Sequence, residues 1–150
     1  IIIEHLALHH AGAAGLIPRD PAAALELRLL DRVFDNYVMA PMQAVVAELL
    51  RNAEQPDAER CAEERGRLER SYDWLERRLE SYDTAGPTTL VECAAAPSLF
   101  YADWVQPLGQ GHPRLRAWRS ELNARPEIAR CIEAARPYRG YFPLGAPDKD

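Results

Sequence analysis

The feature that most constrains this chain is a long stretch, from Ala22 to about Arg51, in which apolar side chains recur every three or four residues. Leu25, Leu29, Leu30, Val33, Phe34, Tyr37, Val38, Met42, Val45, Val46, Leu49 and Leu50 make up the series. That spacing is helical, and it wraps more than one face, which predicts a helix buried on several sides. Asp20-Pro21 marks its start, since Asp is a preferred N-cap and proline at the first helical position has no hydrogen bond to lose. Pro41 lies inside the stretch, where it removes a donor and crowds the preceding turn. A kink near Tyr37 is therefore expected.

The remaining elements are read the same way. Pro56, Asp57 and Glu59 open a second long helix, from about Asp57 to Tyr82, with a stripe of Cys61, Leu68, Tyr72, Leu75, Leu79 and Tyr82. A short connection from Ala53 to Pro56 should set the two long helices antiparallel. Asp83 to Thr88, with Gly86-Pro87, is the turn out. Thr89-Leu90-Val91-Glu92 then has the form of a capping box, hydroxyl at the N-cap and carboxylate three residues on. The helix it opens, through Cys93, Ala94, Ala95, Ala96, Pro97, Leu99 and Phe100, is almost wholly apolar and belongs in the centre of a bundle. His112-Pro113 and Arg125-Pro126 open two short helices. The tail from Pro137 onward is expected to be extended, with Tyr138, Tyr141 and Phe142 against the bundle. Ile1 to Ile3 have strand propensity, yet Ile2, Ile3, Leu6 and His10 could also line a helix face. The whole is an all-α chain, with two long antiparallel helices, a buried central helix and two short ones.

Composition bounds the function. The chain has 150 residues, 47% of them hydrophobic, and a formal net charge of −5. That balance argues against a nucleic-acid partner. No apolar run approaches the roughly 18 residues that span a bilayer, and no signal-peptide pattern is present. A first residue other than Met suggests an excised segment. Cys61, Cys93 and Cys131 are odd in number and far apart, which fits a reducing, cytoplasmic setting and small buried side chains better than disulfides or zinc. His5 and His9 are four apart but lack H-E-x-x-H spacing, so no metal site is expected. There is no nucleophile elbow and no Gly-rich phosphate loop. No catalytic residue is assigned.

The segment Thr89 to Pro97 resembles the N-capping box and central buried helix of cytosolic glutathione transferases of bacterial type, a family that usually carries Asp where this chain has Glu92. His112-Pro113-Arg114-Leu115-Arg116-Ala117-Trp118 and Arg125-Pro126 look like the family's next two helices. Leu30 to Val38 resembles its first long helix, and Ile1 to Leu6 is similar to the last helix of the preceding thioredoxin-like domain. The resemblance covers essentially the whole chain. It favours a helix for Ile1 to His9, and divides the chain into a thioredoxin-domain remnant (1–11), a linker (12–20) and a C-terminal helical domain (21–150).

The resemblance implies a homodimeric transferase whose missing domain holds glutathione, a co-substrate rather than a cofactor, and carries the residue that activates its thiol. This chain would be inactive alone and would supply the wall of the hydrophobic electrophile site. By position that wall is Asn36, Tyr37 and Ala40, then Tyr101 and Trp104, then Phe142 or Tyr141. Arg32 and Asp35, with Arg28, could reach the partner's glutathione across the dimer, with an exposed ion pair as the alternative. Thr89 and Glu92 are structural. Two further functions stay open at this point: a non-catalytic interaction module and a ligand-holding protein.

Overall fold

The first long helix is divided by its proline. In the computed structural model, which describes residues 1–147 and 150, α2 (Pro21–Val33) passes into a π-helical stretch, Phe34–Met39, and then into α3 (Ala40–Arg51). The Asp20 carboxylate caps α2 by accepting the Ala23 N–H at 2.8 Å. Pro41 cannot supply the N–H that an α-helix would direct at the Tyr37 carbonyl. The Ser71 hydroxyl, from the neighbouring helix, lies 2.8 Å from that carbonyl and 2.9 Å from the Arg67 carbonyl of its own helix. The expected bend thus takes the form of a widened turn whose freed acceptor is served from outside.

The other helices are α1 (Ile2–His9), α4 (Ala58–Arg78), α5 (Leu90–Val105), α6 (Pro113–Ala124) and α7 (Pro126–Ala135). No strand occurs among the described residues. Residues 52–57 join α3 to an antiparallel α4. Buried Glu48 holds that connection by accepting the Asp57 N–H at 3.1 Å and bonding Arg51. α5 runs through the middle, against α2, the π stretch, α3 and α6. Twelve of its sixteen residues are buried, which makes it the axis of the bundle. Phe34, Val38, Val45, Leu68, Tyr72, Leu99, Leu115 and Trp118 close the core around it.

Four expectations need correction. None of the three cysteines is buried, since Cys61 and Cys93 are half-buried and Cys131 is exposed. Leu25 (68% exposed), Leu29 (49%), Tyr37 (57%) and Leu50 (66%) stand in solvent. The first long helix is therefore buried along one face of this chain, not several. α4 ends at Arg78, and Tyr82 lies beyond it in the turn. The tail is not extended from Pro137, because Arg136–Tyr141 forms a 3-10 helix. Its proline sits in the first turn, where a fixed φ favours helix and no donor is lost.

One cap comes from far along the chain. His112 precedes α6 and gives it no side-chain cap. Buried Glu76 of α4 accepts the Arg114 N–H at 3.0 Å and the Leu115 N–H at 2.9 Å instead. Burial alone would raise this carboxyl's pKa, but the two N–H groups and the Arg114 guanidinium outweigh it and lower it. A carboxyl lowered on folding stabilises above its unfolded pKa, and that contribution fades as pH falls through the folded one. Glu76→Ala should cost about 2 kcal/mol at pH 7. In urea denaturation its gap from the parent should narrow below the ordinary glutamate range.

Candidate functional site

The site is built on α5, and α5 is held by its first turn. Thr89 Oγ accepts the Val91 N–H at 3.2 Å, and the Glu92 carboxylate accepts the Thr89 N–H at 2.8 Å. The Thr89 hydroxyl donates to Glu92 at 2.5 Å, and the Tyr82 hydroxyl donates to its other oxygen at 2.6 Å. Glu92 is 1% exposed, so these bonds replace its hydration. Burial and the facing carboxylate push the Tyr82 phenol well above its usual range. Leu90 N–H donates to the Leu16 carbonyl at 2.9 Å, which ties residues 10–20 to the same helix start.

Towards its C-terminal end α5 displays Phe100, Tyr101 and Trp104. Phe142 packs onto them from the tail, with ring centroids 6.0 Å from Tyr101, near-parallel, and 5.1 Å from Trp104, edge-on. Phe100 and Trp104 are 4.8 Å apart. These rings, with Val46 and Leu50 of α3 and Tyr138, Arg139, Tyr141 and Pro143 of the tail, line a cavity of about 300 Å³ that is open to solvent on one side. The Arg139 guanidinium carbon lies 5.5 Å from the Trp104 ring centroid and 6.0 Å from that of Phe100, within cation–π range. The buried Trp104 indole N–H has no hydrogen-bond partner among the described residues.

Residues 43–121, from α3 through the capped helix into α6, match the family model described as glutathione S-transferase, C-terminal domain. The chain belongs to that family. Two solved structures share its fold. A glutathione S-transferase from Methylobacillus flagellatus KT with GSH bound is 24% identical, with a TM-score of 0.73 over 87% of this chain and 66% of its own. A glutathione S-transferase from Methylobacterium radiotolerans JCM 2831, in complex with glutathione sulfonate, is 27% identical, with a TM-score of 0.69 over 86% and 62%. The chain thus spans less than two thirds of the length of each. A search of the curated proteins returned no match.

Within this transferase-family domain the residues singled out from sequence fall into separate groups. Tyr101, Trp104 and Phe142 meet in the aromatic cavity. Tyr37 does not join them. Its neighbour Val38 takes the inward position, and Tyr37 lines an open groove of about 520 Å³ with Leu29, Val33, Arg67, Ser71 and Trp74. Asn36 and Ala40 are exposed beside it on the same helix. Arg32 is bonded to Asp31 at 2.8 Å and to Asp35 at 2.6 Å, all on α2 and its extension, while Arg28 bonds Glu4 of α1 at 2.5 Å. Sequence reasoning missed Val46, Leu50, Phe100 and Arg139. For Val46 and Leu50 a signal existed, since they stand four apart on one face of α3.

No group of three or more His, Cys, Asp or Glu side chains suited to a metal occurs among the described residues. Burial, followed by the neighbouring carboxylates, pushes the Cys93 thiol up, so it stays protonated and un-nucleophilic at neutral pH. Because the cap is buried, Glu92→Ala should destabilise more than Thr89→Ala. The former also strands the Tyr82 hydroxyl, and the latter should cost about 1 kcal/mol. Paired urea titrations check the order.

Proposed function

We propose that this domain forms the electrophile-binding wall of a glutathione transferase. In this reading residues 1–11 are the end of a thioredoxin-like domain, 12–20 the linker and 21–150 the helical domain. Glutathione is held chiefly by the thioredoxin-like domain, which also activates its thiol. The thiolate attacks the electrophile, and the helical domain excludes water and positions the ring. The observation that carries the reading is the cavity itself: an apolar, aromatic-lined recess with a few polar groups, which suits a hydrophobic ligand. Tyr101, Trp104 and Phe142 are its wall. Cys93 offers no competing nucleophile.

The parent enzyme works as a cytoplasmic homodimer, with the second face of the domain as part of the interface. Leu25, Leu29, Tyr37 and Trp74 form a stretch of exposed apolar side chains there, a kind of surface that marks association. Asn36, Ala40, Arg32 and Asp35 lie along that side, so a reach from Arg32 towards a partner's glutathione must first break its bonds to Asp31 and Asp35.

The intact protein should be retained on immobilised glutathione and should conjugate chlorodinitrobenzene. Tyr101→Ala should raise KM for that electrophile roughly tenfold, the equivalent of about 1.4 kcal/mol of ring contact. Retention without turnover would replace the enzyme by a ligand-holding protein, and neither would end the transferase reading. Leu29→Asp should move the protein from dimer to monomer in sedimentation analysis.

A further inference from the structure

The aromatic cavity carries one charged group, and its surroundings bear on which electrophiles it takes. Arg139 lies against Trp104 and Phe100 with only 15% of its side chain exposed. A guanidinium so far withdrawn from water requires an anion. Its one anionic partner among the described residues is the carboxylate of Asp150, which Arg136 also bonds. Buried Arg119 completes the set, donating to the main-chain oxygen of Asp150 at 2.8 Å while it pairs with Asp103 at 3.4 Å. Arg136 has a second partner in Glu133. Among the described residues, removing Asp150 would therefore leave Arg139, alone of the three, without a counter-charge.

We infer that the cavity selects electrophiles built on a single aromatic ring bearing a carboxylate, which competes with Asp150 for the Arg139 guanidinium. This rests on the cavity being the electrophile site. At about 300 Å³ it lies at the small end of ligand sites, which suits one substituted ring. The ring stacks among Tyr101, Trp104 and Phe142, and its carboxylate takes the Arg139 fork that Asp150 gives up. An uncharged ring gains the stacking and leaves the arginine to Asp150. In conjugation a C–S bond forms at the ring carbon, the C–Cl bond breaks with chloride taking the electron pair, and the thiol proton passes to solvent.

The test is calorimetric titration of the intact protein, without glutathione, with 4-chloro-3-nitrobenzoate and with 1-chloro-2-nitrobenzene, the same ring without the carboxylate. The carboxylate should bind about tenfold tighter, as a charge-assisted contact requires. Arg139→Gln should erase that preference, and Asp150→Asn, which removes the internal competitor, should enlarge it several-fold. Asp150 is at the surface, so that arm decides even where Arg139→Gln does not fold. Equal affinity for the two rings, unchanged by Asp150→Asn, overturns the carboxylate selectivity and leaves the electrophile site standing. Binding of neither ring overturns both.

Discussion

A helix with no polar face, set in the middle of a bundle, leaves the N–H groups of its first turn with no water to bond. α5 is such a helix, and the rest of the molecule is arranged around the solution to that constraint. The Glu92 carboxylate is enclosed with Thr89 and Tyr82, so cap, turn and helix start become one hydrogen-bonded unit. Once α5 is fixed, its flanks receive α2, α3 and α6, and its far end presents the aromatic rings. An Asp at this position would fall short of the Tyr82 hydroxyl. The longer Glu spans from the Thr89 amide to that hydroxyl.

The same device recurs at lower stakes. Glu76 of α4 closes the start of α6, which His112-Pro113 cannot cap. Glu48 of α3 receives the Asp57 amide of the loop that follows. Ser71 of α4 serves the carbonyl that Pro41 orphans. Each joins two elements through a polar group, and the buried Glu76 and Glu48 would be costly to leave alone. The bundle is therefore held in register by a few such bonds as well as by its apolar core, which alone is tolerant of sliding.

How much of this was legible in the sequence follows from how local each signal is. The capping box, the Asp20 and Asp57 starts and the break before Pro41 involve residues within a few positions of each other, and they read directly. The bond that serves the Tyr37 carbonyl at this break did not, because its donor, Ser71, lies thirty-odd residues away. Periodicity gave the apolar positions of the first long helix but not what covers them. Leu25, Leu29 and Tyr37 belong to a face that this chain leaves open. Position alone puts Tyr37 and Tyr101 on one wall, whereas the inward turn of Val38 sends Tyr37 to another groove. Arg139 and Leu50 reach the cavity from separate elements, and no spacing within one helix announces such convergence.

The functional account places the chemistry in the thioredoxin-like domain and the choice of electrophile in the recess between α5, α3 and the tail. Its most direct test is a crystal structure of the intact protein with S-(p-nitrobenzyl)glutathione. The account predicts the nitrobenzyl ring between Tyr101, Trp104 and Phe142. A ring lying instead in the groove of Leu29, Tyr37 and Trp74 would contradict it.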